Sequence, residues 1–443
     1  MADADPLPDV PQAQHSGVSS TRMALLFTVM LVTAAGNTAM QSVMPSIATA
    51  LEVEDFWMSL AFSWSALLWV ICAPIWARRS DRRGRKAMMG LGLVGFVTSM
   101  LLCGLTLWAG LTGALTAFWT LLTFAAARSI YGGFGSAAPP AVQAYVAART
   151  PRAERTNALS LIASSFGLGT VIGPALAPLM VVSWFGLGLT GPFLGFALLG
   201  VIVFTLLRLR LPDDQPQYAA RGVAASYSDG SSASELDLDD EGTAEPERLK
   251  WTDQRLRPWI VAQLLGGHAQ AMVLGITGFL VLDRMHLRET PAEGAGPVGL
   301  VLMAGAIASL LAQWGIIPRF KLGPRAATLG GILLAACGVV LLGVATQLHV
   351  IALGYAIASL GFGLFRPGTT AGTSLAVTRA EQGQASGVVA SLAGASYIYA
   401  PALGVWLYGH SDWIGFGLIV ALCVIAFAHG WATLQRDSDL TRS

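Results

Sequence analysis

TNALSLIASSFGLGTVIGPALAPLMVVSWFGLGLTGPFLGFALLGVIVFTLL, Thr156 to Leu207, runs for 52 positions without a Lys, Arg, Asp or Glu. A hydrocarbon layer about 30 Å thick takes roughly twenty helical residues to cross, at about 1.5 Å each. The stretch therefore holds two crossings joined by a turn. Seven further stretches of about twenty or more residues are equally bare or hold one isolated charge. Only an α-helix or a closed β-barrel satisfies every backbone N–H and C=O in lipid, and these runs are too long and too evenly apolar for alternating barrel strands. The fold class is all-α and polytopic.

Span-length apolar runs recur about twelve times and predict helices at 23–48, 56–78, 87–108, 113–147, 157–182, 188–210, 258–282, 296–317, 326–347, 350–376, 383–408 and 412–434. The composition agrees: 54% hydrophobic and 12% charged, against about 25% charged in a soluble domain. Cys72, Cys103, Cys337 and Cys423 all fall inside apolar runs, so they read as packing residues and not as a disulfide framework. The first run is too long for a secretory signal and is read as a retained span.

With both termini placed in the cytoplasm, the 27 Lys and Arg divide as 23 inside, two outside (Arg284 and Arg288) and two within spans (Arg128 and Arg366). That split obeys the positive-inside rule, and the expected location is the plasma (inner) membrane. The predicted organisation is a leader over 1–22, a six-helix bundle over 23–210, a linker over 211–257, a second six-helix bundle over 258–435 and a tail over 436–443. The linker is rich in Asp, Glu, Ser, Ala and Gly, with Glu235, Asp237, Asp239, Asp240 and Glu241 at its centre, and lacks the apolar residues to fold alone.

The halves repeat each other. Gly133-Phe134-Gly135 with Pro139 recurs 228 positions later as Gly361-Phe362-Gly363 with Pro367, and Pro174-Ala175-Leu176 recurs 227 positions later as Pro401-Ala402-Leu403. A tandem six-helix duplication is how parallel-repeat transporters are built, with the substrate site near the midplane between the halves.

Three motifs carry a resemblance. The loop after the second span reads Ala77-Arg78-Arg79-Ser80-Asp81-Arg82-Arg83-Gly84-Arg85-Lys86. It resembles the Gly-x-Leu-x-Asp-Arg-x-Gly-Arg-Lys signature of the major facilitator superfamily, with Ala77 and Arg79 in place of the usual Gly and Leu. Span four carries Arg128-x-x-x-Gly132-x-x-Gly135, similar to the family's second signature. Span five carries Gly169-Thr-Val-Ile-Gly173-Pro174-Ala-Leu-Ala177, which resembles the motif of the twelve-helix drug:proton antiporter group. The resemblance implies a conformational latch at Asp81, Arg82, Gly84 and Arg85, proton coupling at Arg128, and a cavity-sealing bend at Gly169, Gly173 and Pro174.

The residues also read on their own. Arg128 is the one formal charge between Ala87 and Ala148, and a mid-span Arg costs from about 2.5 kcal/mol upward, so it faces protein or water. Arg366 lies in span ten of the second half, between Gly363 and Pro367. His268 is a titratable group in an apolar run. Asn37, Gln41, Gln143, Gln270 and Tyr397 are the polar side chains available to a cavity, Asn37 and Gln41 sharing a helix face. Against these stands packing: helix-to-helix hydrogen bonds for the amides, close approach for the glycines, a topology signal for the loop cations.

No Asp or Glu lies in the middle of a predicted span, so two cations tilt the cavity positive and favour neutral or anionic amphiphiles. The expectation is a proton-coupled exporter, monomeric in the lipid bilayer, with no cofactor, metal site or nucleic-acid partner. An importer or facilitator of an organic acid or other metabolite stays open, as does a receptor or scaffold that binds without transport. An enzyme would need a His with Asp or Glu, or a metal cluster, at the membrane interface, and His286, His349 and His410 lack that spacing.

Overall fold

The computed structural model describes residues 18–150, 152–181, 186–212, 253–377 and 381–440. The leader up to residue 17, the acidic segment over 213–252 and the last three residues lie outside the described residues. The first half holds α1 (Ser20–Ala50), α2 (Asp55–Arg83), α3 (Arg85–Leu111), α4 (Ala117–Phe134), α5 (Ala138–Arg149), α6 (Arg152–Leu176) and α7 (Gly191–Arg210). The second holds α8 (Arg257–Arg284), α9 (Pro291–Leu310), α10 (Ile317–Phe320), α11 (Pro324–Val344), α12 (Leu348–Leu375), α13 (Gln382–His410) and α14 (Asp412–Thr433), followed by the short α15 (Asp437–Leu440).

Among the described residues, nine helices are long and apolar enough to cross a membrane by length and composition. The α4–α5 pair, α6 and α13 complete a twelve-helix membrane fold. Three spans depart from one continuous α-helix, and the sequence gives the reason for two. Span four, predicted as one helix from 113, starts at Ala117 and passes through a 3-10 turn at Gly135–Ala137. Pro139 follows that turn, lacks a donor and crowds the carbonyl four residues back. Span eight widens into a π turn at Leu311–Ile316 before α10. Span five, predicted to reach 182, leaves the α-helix at Leu176, because Pro178 opens a separate 3-10 turn.

Among the described residues the chain reversals fall on two faces. The basic face carries the ends of α2, α5, α7 and α10, with Arg83, Arg149, Arg208, Arg210 and Arg319; the distal face carries the α1–α2, α8–α9 and α13–α14 turns. On the basic face Gly84 joins α2 to α3 with φ +90°, a conformation costly for any side chain, and its N–H donates to the Ser80 carbonyl at 3.1 Å. Nearby Lys86 is buried and donates to the Arg208 carbonyl at 3.1 Å.

The halves meet through α1, α2 and α6 against α8, α9 and α13. Glycine seams let the helices that frame this boundary approach. A Cβ at Gly169 would lie 2.7 Å from both the Ala34 Cβ and the Leu31 carbonyl oxygen, and one at Gly173 would strike the Ala35 carbonyl and Thr38. Thr38 then donates to the Gly169 carbonyl at 3.3 Å, so α1 and α6 pack backbone to backbone.

Candidate functional site

Between the halves lies a cavity of about 320 Å³. Its first-half wall comes from the middle of α1, α2, α4 and α6; its second-half wall comes from α8, α9 and α13. Asn37, Gln41, Arg128 and Tyr397 all line it, so four of the polar residues singled out from sequence converge on one space. The remaining lining is largely flat and apolar, with Phe62, Trp69, Tyr131, Phe166 and Phe279. Arg128 is the one charged residue among the lining side chains.

Arg128 is 3% exposed. Its guanidinium lies 4.9 Å from the ring centres of both Phe62 and Tyr131, two cation–π contacts. Nη2 donates to Asn37 Oδ1 at 3.0 Å, Nη1 faces the Met40 thioether at 3.9 Å, and Nε has no partner among the described residues. A buried ion costs several kcal/mol unless it is paired, and one amide oxygen and a thioether satisfy few of the five N–H donors. Ser63, also lining the cavity, is a second buried polar group whose Oγ lacks a partner.

The other predicted residues lie elsewhere. His268, Gln270, Gln143 and Arg366 are not among the lining residues. His268 pairs with Tyr399, Nε2 to Oη 2.5 Å, and its Nδ1 sits 2.7 Å from the Leu264 carbonyl. A carbonyl only accepts, so Nδ1 carries a proton. Tyr399 itself is exposed. The Arg366 side chain is exposed too, within electrostatic reach of Tyr397. Asp81 and Arg82 fall in the last turn of α2, and their side chains lie outside the described residues. Pro174 ends the close α1–α6 contact, its carbonyl 2.6 Å from where a Cβ of Gly299 would stand.

The sequence reading missed what closes the distal side. Arg288, in the α8–α9 turn, donates to both carboxylate oxygens of Asp55, at 2.9 and 2.6 Å, and to Thr49 Oγ1 at 3.1 Å. These bonds tie the second half to the α1–α2 corner of the first. Arg288 also holds Asp283 at 2.7 Å, which accepts from Tyr408 at 2.8 Å. Burial opposes the Arg288 charge, yet the hydrogen bonds it donates to Asp55 and Asp283 outweigh it and raise its pKa above the usual arginine value. Beside this clamp Pro45 packs on Gly278 and Ser46 on Gly294, closing the space beyond the cavity. The sequence held one sign of it: Arg284 and Arg288 are the two cations on an otherwise cation-poor face. Among the described residues no group of three or more His, Cys, Asp or Glu is placed to hold a metal.

Comparison with known proteins agrees with this architecture. The family model described as Major Facilitator Superfamily matches residues 26–345. A multi-drug resistance efflux pump PmrA homolog of Lactococcus lactis is 32% identical over 154 residues, 34% of this chain and 35% of that protein. In this and similar multidrug-resistance relatives the match spans about a third of the relative's length, 28% to 36%. A tetracycline resistance protein, class E, of Escherichia coli is 26% identical over 82% of this chain and 84% of its own. Among solved structures, a bacterial homolog to the human lysosomal transporter Spinster, inward-facing and unoccupied, superposes with a TM-score of 0.72 at 13% identity, covering 95% of this chain and 97% of that one. The human organic anion transporter MFSD10 gives 0.59 at 17% identity, covering 92% and 98%. With two six-helix halves around a central cavity and the family's model matched across most of its length, the chain belongs to the Major Facilitator Superfamily of membrane transporters.

Proposed function

We propose that this protein exports small amphiphilic molecules across the plasma membrane by alternating access, coupled to protons. The observation that carries the reading is the cavity between the halves, closed on its distal side by the Arg288–Asp55 tie. Twelve spans and 23 Lys and Arg on one side support a cytoplasmic position for the basic face and both termini. The clamp then faces outside, and the described state is closed there. Export is supported by the names of the efflux relatives and by the Gly169, Gly173 and Pro174 motif. On the cytoplasmic side, Asp81, Arg82, Gly84 and Arg85 form the opposing latch, engaged when the clamp is released. The protein works as a monomer.

The lining selects neutral or anionic amphiphiles, since Arg128 is its one charge. The lining residues include no carboxylate and not His268, so the proton that enters in exchange for substrate is carried by a group outside the lining. A second reading, an importer or facilitator of an organic acid, draws on the same Arg128. The test is accumulation of neutral, anionic and cationic fluorescent amphiphiles in an efflux-deficient bacterial host, with and without a protonophore. Lower accumulation of neutral or anionic probes, reversed by the protonophore, is expected. Unchanged accumulation with the protein in the membrane refutes export, and stronger protection against cationic dyes refutes the substrate class.

A further inference from the structure

We infer that Arg128 is an anion subsite, taking the carboxylate of a compact, planar aromatic monoanion whose ring lies against the aromatic walls of the cavity. This deepens the proposed function and rests on reading the cavity as the transport site. Four observations converge. First, the guanidinium is buried, with Nε unpartnered and Nη1 facing only a thioether. Each of the two edges that can grip a carboxylate pairs Nη2 with either Nε or Nη1, and the single bond to Asn37 uses one of the two Nη2 hydrogens, so one edge is left open. Second, Phe62 and Tyr131 hold the guanidinium through cation–π contacts at 4.9 Å before any ligand arrives. Preorganisation of this kind favours binding because little motion is lost.

Third, no lining residue is acidic, so the balancing charge has to come with the ligand. An arginine kept only for packing would be expected to satisfy its donors on backbone carbonyls or an aspartate, and none appears among its hydrogen-bond partners. Fourth, Trp69, Phe166 and Phe279 supply flat apolar walls, and a volume of about 320 Å³ is at the small end of ligand sites. That size suits one compact ring system. Ser63, on the cavity wall, is a second buried polar group whose Oγ has no partner.

The test compares a naphthoate with its uncharged amide, binding to the full-length protein in lipid nanodiscs by calorimetry at about pH 7, where a carboxylic acid is ionised. The wild type is expected to bind the naphthoate at least about tenfold tighter than the amide. Arg128→Gln should bring the naphthoate down to the level of the amide. Met40→Glu places an internal carboxylate beside Nη1 and should erase the preference in the same way, so the test stands even where Arg128→Gln fails to fold. Equal affinity for the two probes, binding of neither, or a preference that survives Met40→Glu overturns the subsite. Transport is measured separately on the same preparations. Loss of the carboxylate preference with export of amphiphiles intact removes the subsite alone; a retained preference without export removes the export reading and leaves the subsite.

Discussion

Replacing Arg288 with Gln removes the tie between the halves on the distal face and leaves each half's own fold intact. The tie comprises two charge-assisted hydrogen bonds to Asp55, at 2.9 and 2.6 Å, and one to Thr49 at 3.1 Å. In isolation such bonds are worth about 1.5–3 kcal/mol each. The Arg288 and Asp55 side chains are 32% and 21% exposed, however, and exposed pairs fall to about 0.2–1 kcal/mol. A net of about 1–2 kcal/mol for the distal-closed state follows, or roughly 5- to 30-fold in its population relative to the open state. The loss has a second component, because Asp55 and Asp283 then face each other without the cation that separates them. The assay is the labelling rate of Ser46→Cys by a membrane-impermeant maleimide, after replacing Cys72, Cys103, Cys337 and Cys423. Ser46 is fully buried against Gly294 at the distal interface, so it reacts only when the halves part. Labelling should rise about tenfold in Arg288→Gln. Arg284→Gln is the control: Arg284 pairs with Asp412 at 2.7 Å and the Gly343 carbonyl at 3.2 Å, both in its own half. An unchanged rate in Arg288→Gln, or an equal rise in Arg284→Gln, refutes the reasoning.

Other consequences follow from the same contacts. Gly173→Val drives a branched side chain into the α1 backbone at Ala35 and Thr38 and should cost about 1–3 kcal/mol, read as a lowered melting temperature of the purified protein. Asp81→Asn should lower turnover while leaving substrate affinity less affected, since a latch changes state populations; wild-type turnover in transport assays would remove the latch. On the basic side, Arg255 bonds Asp253 and Glu381, and hydrogen bonds from Arg255 hold the Asp253 carboxyl below its ordinary value. That contribution is complete above about pH 4 and is lost as pH falls through the lowered value. Hydrogen exchange at 254–257 should therefore be insensitive to protonation between about pH 7 and 5, once the intrinsic rate is corrected, and rise below about pH 4.

The spans were readable because length and charge exclusion are local properties of the chain. Their breaks were less so: Pro139 and Pro178 stand in the sequence, but apolar character continues through both, and hydropathy does not distinguish an α turn from a 3-10 turn. In the cavity, Asn37, Gln41, Arg128 and Tyr397 were legible because a polar group in an apolar run is an anomaly that demands an explanation. The same anomaly marked His268, Gln143, Gln270 and Arg366, which lie outside the lining. Polarity flags a residue as special without fixing the direction it faces; packing does that. Phe62, Trp69 and Tyr131 escaped notice because aromatic residues are ordinary in membrane helices. The clamp was hidden for a different reason: Asp55 and Arg288 are 233 positions apart and meet only once both halves are assembled.

The most direct test of alternating access is to bridge the distal clamp and ask whether transport continues. Asp55→Cys and Arg288→Cys, in the background lacking native cysteines, are joined by a short, reducible bis-thiosulfonate in proteoliposomes. The account predicts that bridging stops transport of a fluorescent amphiphile and that reduction restores it, with substrate binding retained throughout. Transport at the unbridged rate with the link confirmed intact would contradict it, because substrate would then be crossing without separation of the halves on the distal face.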